Sequence, residues 1–283
     1  MKKIFKIFLP PILVSFIWQV KKNWIILCHR RLLQNNKRLK NKHKGQRCFI
    51  LCNGPSVAGQ DLSHLKNEVV ITVSNGYKHK NYSEIKPKYH VVPHITFGRL
   101  TEQDVESWFD EMDSQLLSEI LFLSIQQYKL FKSGEGRRKI NVHYYFDRGD
   151  FLGKGELPAL DRSIPGAQSA PILAIMFSMY MGFEKIYLLG TDHDWFLKRN
   201  YAYAFGQTLF AGKDIGVQAD GSMPDMRLAE QLPIAAALWN QYHELHNIAI
   251  KNNISIYNAT DGGALDEFER VNYEQLMAAS KIV

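Results

Sequence analysis

Apolar runs that break off in small polar residues recur along this chain. Residues 48–52 are continuously apolar and stop at Asn53-Gly54-Pro55-Ser56. Residues 68–73 are apolar and β-branched, and they stop at Ser74-Asn75-Gly76-Tyr77. Residues 183–189 end in Gly190-Thr191-Asp192-His193-Asp194, and residues 254–257 end in Asn258-Ala259-Thr260-Asp261-Gly262-Gly263. Short apolar runs bounded by turn residues predict buried strands, and further strands are expected over 88–92 and 119–125. Helical spacing covers 103–117, with Val105, Phe109, Met112 and Leu116 on one face. Residues 170–181 are apolar all round, and 228–252 read as a long helix. Asp61-Leu62-Ser63 resembles a helix start, which places a short helical segment over 62–65. Residues 129–161 are polar and poorly periodic, and read as a lid or an inserted loop.

Strand, loop and helix alternate in this order, which argues for a mostly parallel sheet covered on both faces. The expected fold class is α/β, a Rossmann-like, mostly parallel sheet with helices on both faces, preceded by an apolar-basic membrane-associating segment. The division is 1–45 for that segment and 46–283 for a single α/β domain, with a lid-like insertion around 195–227. No internal repeat or coiled-coil heptad interrupts this.

Charge sharpens the division. The chain carries a formal +7, yet no Asp or Glu occurs before Asp61, while the first 60 residues hold 13 Lys and Arg. The remainder has 22 basic and 28 acidic residues, a net of −6. A nucleic-acid binder carries its basic surface on the folded body, so this distribution argues against nucleic acid. The uncharged stretch 7–20 is 14 residues, short of the ~20 needed to span a bilayer. Apolar and aromatic residues beside a polybasic run suit the anionic cytoplasmic face of a membrane, so the expected location is peripheral. A packed N-terminal helix with a solvated basic linker is the plainer reading. The three cysteines, Cys28, Cys48 and Cys52, form no metal-ligand or disulfide pattern and read as buried or semi-buried reduced thiols.

The carboxyl ends of parallel strands point one way, so the four polar loops should converge. In Asn53-Gly54-Pro55-Ser56, Gly54 permits close backbone approach, Pro55 stiffens the turn, and Asn53 and Ser56 offer hydrogen bonds. If Ser56 caps a following helix, that N-terminus favours phosphate. The loop is neither a Walker A motif nor a dinucleotide fingerprint. Asp192, His193 and Asp194 put two carboxylates around an imidazole, a group suited to acid–base chemistry or to holding a metal or a hydroxyl. His94, beside Pro93 at another strand end, is a further candidate, and Tyr144, Tyr145, Tyr201 and Tyr203 lie in irregular segments that flank the loops.

These residues carry a family resemblance. Residues 49–57 with Asn75, the block 171–192 with Gly190-Thr191-Asp192, and Tyr203-Ala204-Phe205 resemble the bacterial sialyltransferases of glycosyltransferase family 42. Residues 258–270 are similar to the C-terminal motif of related surface-polysaccharide enzymes. The resemblance implies a CMP-activated nonulosonic acid as donor, a glycan or lipid-linked glycan as acceptor, and no metal cofactor. It also implies a Rossmann-like, GT-A-like glycosyltransferase fold. By position it implies nucleotide contacts from Asn53, Gly54, Ser56 and Asn75, matches Ser169 to a hydroxyl residue at the start of the helix before the Gly-x-Asp strand, and matches Tyr201 or Tyr203 to a tyrosine that stabilises the departing phosphate. The loops themselves add Pro55, Gly190 and Thr191 as nucleotide-binding candidates and Asp192, His193 and Asp194 as catalytic candidates. Two departures stand out. Asp194 occupies the place of a phosphate-contacting tyrosine, and residues 220–227 lack the family's base histidine. The same superfamily motifs occur in 6-hydroxymethylpterin pyrophosphokinases, which would use Asp192 and Asp194 with magnesium. A non-catalytic membrane-bound glycan-pathway protein is the remaining alternative. The sequence specifies no oligomeric state.

Overall fold

The computed structural model describes residues 11–95, 100–133, 141–148, 155–197, 203–205 and 227–279. Among them eight strands form one sheet, all paired in parallel. They are β1 (Arg47–Leu51), β2 (Val70–Val73), β3 (Tyr89–Val91), β4 (Ile120–Ser124), β5 (Asn141–Tyr145), β6 (Lys185–Leu189), β7 (Ser255–Asn258) and β8 (Glu269–Arg270). The spatial order is β5-β4-β3-β2-β1-β6-β7-β8. The sheet therefore grows one way from β1 to β5 and the other way from β6 to β8. Between β1 and β6 lies the switch point where open α/β sheets hold their ligands.

Helices cover both faces: α1 (Pro11–Cys28), α2 (Arg30–Gln34), α3 (Tyr82–Ile85), α4 (Glu102–Gln115), α5 (Tyr128–Ser133), α6 (Ala170–Met181), α7 (Leu228–Lys251) and α8 (Tyr273–Ala279). The period-2 alternation of β1 explains the layering. Cys48, Ile50 and Cys52 pack with α6 and α7, while Phe49 and Leu51 pack with Leu62, Leu65 and α8. Every residue of α6 from Pro171 to Met181 is buried, which its lack of a polar face dictates. Gly182 ends it at φ +87°, and a Cβ there would stand 2.9 Å from the Asn41 Cα. A third cluster joins Leu121 and Leu123 of β4 to Val105, Phe109 and Met112 of α4 and to Leu116 at its C-terminal end, the four residues expected on that helical face. Asp61 does cap a one-sided turn: its carboxylate accepts from Ser63 N at 3.0 Å, and a 3-10 helix follows over Leu62–Asn67.

The packed body reaches further back than residue 46. Leu33, Asn36, Leu39 and His43 are buried. The main-chain N–H groups of Asn41 and His43 donate to Tyr180 O and Met181 O, at 3.1 and 2.8 Å, and so satisfy the last carbonyls of α6. Asn36 Nδ2 donates to Tyr144 O at 2.7 Å and Leu160 O at 2.8 Å, and its Oδ1 meets His143 Nδ1 at 2.8 Å. A cut at residue 45 would strip these groups from the core. No described helix is long and apolar enough to cross a membrane.

Residues 129–161 are not simply a lid or insertion. They supply most of α5 and all of β5, whose residues pair with β4 from Asn141↔Ile120 to Tyr145↔Ser124. The strand hides behind polar-tipped aromatics. Tyr145 is fully buried and its hydroxyl donates to Val92 O at 2.8 Å. Tyr144 and Tyr145 thus belong to the sheet edge far from β1 and β6. The insertion expected around 195–227 lies largely outside the described residues, as does Tyr201.

Candidate active site at the β1–β6 switch point

The four loops follow β2, β1, β6 and β7, which are neighbours in the sheet, so their convergence is a consequence of strand order. Hydrogen bonds stitch them together. Asn53 Nδ2 donates to Val73 O at 3.1 Å, and Gly54 N donates to Gly190 O at 2.9 Å. Thr191 N donates to Thr260 Oγ1 at 3.0 Å, and Ala264 N donates to Asp192 O at 2.7 Å. Arg270 braces the last loop from β8, donating to Gly262 O, Gly263 O and Leu265 O at 2.6, 3.0 and 2.9 Å. The 258–270 motif therefore has a mechanical reason: Arg270, with the Asn258 amide on Leu265 O, collects the carbonyls of the turn.

Asp192 is the central staple. It is 3% exposed, and its carboxylate accepts from Ser56 Oγ at 2.8 Å and from Ser56 N at 3.2 Å. Gly54 lies flat against it: a Cβ on Gly54 would fall inside the Asp192 carboxylate and 2.5 Å from Gly190 O. Gly263, at φ +75°, presses on the other side, where a Cβ would stand 2.7 Å from the Asp192 Cα. Ser56 consequently does not cap a phosphate-binding helix. Pro55–Gly59 is a five-residue 3-10 turn without a side-chain cap, too short to carry a useful dipole.

Three side-chain oxygens on this rim are buried and make no hydrogen bond of acceptable geometry: Asn53 Oδ1, Thr191 Oγ1 and Ser169 Oγ. Ser169 precedes α6 and makes no cap bond of its own. It stands near enough to the Tyr242 hydroxyl to influence it, though not in bonding geometry. Because α6 leads into β6, its N-terminus opens on the rim. Buried polar atoms without partners are uncommon in folded proteins, and at a switch point they suit a ligand's donors.

The remaining expected residues fall around this core. Asn75 follows Ser74, which takes φ +50°, in the left-handed region that non-glycine residues rarely adopt. Buried His90 holds Ser74 there, since its Nε2–H donates to Ser74 O at 2.8 Å while Nδ1 accepts from Thr72 Oγ1 at 2.7 Å. Burial lowers the His90 pKa to about 4 and keeps it neutral for this role. Asn75 Oδ1 accepts from Trp108 Nε1 at 2.7 Å and from the Tyr77 hydroxyl at 3.3 Å, which turns the amide nitrogen to other work. Tyr203 is half-buried and its ring stacks on Phe205; Ala204 N between them donates to Asn53 O at 3.0 Å. The aromatic segment thus meets the β1 loop.

His193 also sits at φ +50°, and its Nε2 is 2.6 Å from the Tyr242 hydroxyl. Burial lowers the His193 pKa to about 4 and pushes the Tyr242 phenol well above its ordinary value. The phenol is therefore the donor and Nε2 the acceptor, leaving the ring proton on Nδ1. Asp194 is 9% exposed, next to this pair. His94 lies off β3, two strands from β1, where Nδ1 meets the Gln127 side chain. Cys52 is buried beneath the rim with its thiol pushed up to about 12 by desolvation, and Cys48 likewise; Cys28 is exposed. Trp108, Thr260, Tyr242 and Arg270 were not singled out as site residues by sequence. Only Arg270 and Thr260 lay in a quoted motif. Among the described residues, no group of three His, Cys, Asp or Glu side chains is arranged to hold a metal.

No family model matches this chain, and no curated protein matches it. Solved glycosyltransferases are similar to it. One is the MAf glycosyltransferase from Magnetospirillum magneticum AMB-1, at 13% identity over 90% of this chain and 41% of that one, with a TM-score of 0.47. This chain thus spans well under half of that protein's length. Another is the sialyltransferase CstII from Campylobacter jejuni with the substrate analogue CMP-3FNeuAc, at 16% identity over 80% of this chain and 86% of that one, TM-score 0.43. The CST-II complex with a trisaccharide acceptor and CMP gives the same identity, coverage and TM-score.

Proposed function

We propose that this chain is a glycosyltransferase of bacterial surface-polysaccharide biosynthesis, lipopolysaccharide or capsule, working at the cytoplasmic face of the inner membrane. It would move a nonulosonic acid from a CMP-sugar to a glycan or lipid-linked glycan acceptor. The observation that carries this reading is the rim at the β1–β6 switch point. The Asp192–Ser56 pair ties the β1 loop to the β6 loop, bonds from Asn53 and to Thr260 tie in their neighbours, and Asn53 Oδ1, Ser169 Oγ and Thr191 Oγ1, the last beside the Cys52 thiol, are buried on the rim without a hydrogen bond of good geometry. The motifs quoted from the sequence supply the class of ligand.

In this reading Asn53 and Asn75 receive the nucleoside, while Ser169 and the α6 N-terminus receive the phosphate. Gly54, Pro55 and Gly190 let the backbone come close, and Asp192 positions the loops. The acceptor hydroxyl attacks the anomeric carbon as the carbon–oxygen bond to phosphate breaks. Its proton passes to the Asp194 carboxylate, and CMP leaves as a phosphomonoester. Tyr203, and Tyr201 outside the described residues, donate hydrogen bonds to that departing phosphate. His193, with Nε2 engaged by Tyr242, orients the Thr191–Asp194 turn.

The test is CMP release from CMP-N-acetylneuraminate by the full chain. Asp194→Asn is expected to lower kcat by about a hundredfold or more with little change in donor KM, as befits a lost base. Asn53→Ala is expected to raise donor KM about tenfold or more. Wild-type kinetics in both variants would overturn the assignment.

A further inference from the structure

Helix α1 docks through its last turns, while Trp18 further up the same side is still 45% exposed, and the opposite side is bare throughout. Ile25 and Ile26 pack against the cluster built on β4 and α4. On the opposite side Leu13, Phe16, Ile17, Val20, Trp24 and Leu27 are 41 to 68% exposed. At ~100° per residue these six fall on one stripe, an arc of about 100°. Cations border it. Lys21 lies within the helix with Nζ 5.2 Å from the Trp18 ring centre, and Arg30 and Arg31 follow. At the base of the helix an open cleft of about 370 Å³ is lined by Leu27, Arg30, Leu33 and Arg162 among others, with Asp161 the one acidic residue in its lining.

From this geometry we infer that α1 lies flat on an anionic bilayer, its stripe in the acyl boundary and Arg30 and Arg162 on lipid phosphates. This deepens the membrane location given above and rests on it for nothing else, because it draws on none of the switch-point residues. Charge selects the occupant. With no acidic residue before Asp61, two copies pairing through this stripe would bring like charges together, whereas anionic headgroups complement them. The chain beyond residue 60 is net negative, so repulsion from the same surface favours contact through α1 and the basic residues at its base. A stripe of Trp, Phe and Leu beside Lys and Arg is the pattern of a helix that lies in the interface plane.

The experiment is flotation of the full chain with vesicles of neutral phosphatidylcholine and with vesicles carrying about one third phosphatidylglycerol. Binding at least ~tenfold tighter to the anionic vesicles is expected. Phe16→Ser/Trp24→Ser should abolish it, and Arg30→Gln/Arg162→Gln should remove most of the preference for anionic lipid. Bromine-labelled lipid should quench tryptophan fluorescence in the wild type, and much less in Trp24→Phe. CMP binding by the same variants should be unchanged, which separates this proposal from the transferase reading. Equal binding to both vesicles, stripe variants that float like wild type, or a stripe that serves only self-association would overturn it.

Discussion

Gly54→Ala is expected to destabilise the protein by about 2–4 kcal/mol and to abolish nucleotide binding. Gly54 has φ −62° and ψ 151°, a conformation that alanine adopts freely, so backbone strain plays no part. The effect is steric: the new methyl would occupy the Asp192 carboxylate and crowd Gly190 O. Moving that carboxylate breaks both bonds from Ser56 and leaves a buried charge with too few donors. The same movement separates the β1 and β6 loops, between which the nucleotide is proposed to sit. Gly59, five residues on, has open space where a Cβ would go. Gly59→Ala is therefore the control, and it should change stability by less than ~1 kcal/mol. Urea unfolding with a CMP titration on both variants reads the contrast. Equal behaviour would mean that the staple is not what holds the rim.

Acid is expected to unfold this protein steeply between pH 6.5 and 4. Burial lowers the pKa values of His79, His90, His143 and His193 to about 4, against an ordinary 6.5. Between those values the unfolded chain binds protons that the native one refuses. Stability therefore rises with pH across that window, is fully present above 6.5, and is lost as pH falls. Each histidine adds a slope of up to ~1.4 kcal/mol per pH unit, so four acting together dominate the acid limb. Urea midpoints from pH 7 to pH 4.5 check this, and a flat profile would contradict it. Transfer activity above pH 6.5 should show no titration of His193, which is already neutral there.

The four loops were legible because each follows an apolar strand with an abrupt polar stop, and parallel strands must place such stops on one edge. The order of strands was not legible, and it is the order that sets the β2, β1, β6 and β7 loops side by side. Ser56 looked like a helix cap because a hydroxyl after a strand is ambiguous. Its true partner, Asp192, lies 136 residues away. Strand β5 was hidden because His143, Tyr144 and Tyr145 read as polar, yet the edge of the sheet buries their rings. The packed body was placed to begin at residue 46 because a run rich in Lys and Arg masks Leu33, Asn36, Leu39 and His43, each buried at a spacing of three or four. Tyr242 gave no signal, since its part depends on the His193 turn reaching α7.

A transferase of the proposed kind must hold a cytidine nucleotide on the switch-point rim. In titration calorimetry with CMP, UDP, GDP and ATP, each in chelator and in magnesium, CMP is expected to bind best, to bind equally in chelator, and to be weakened at least ~tenfold by Asn53→Ala. Binding of ATP with magnesium alone would point to pyrophosphoryl transfer, and no nucleotide binding at all would contradict an enzyme of either kind.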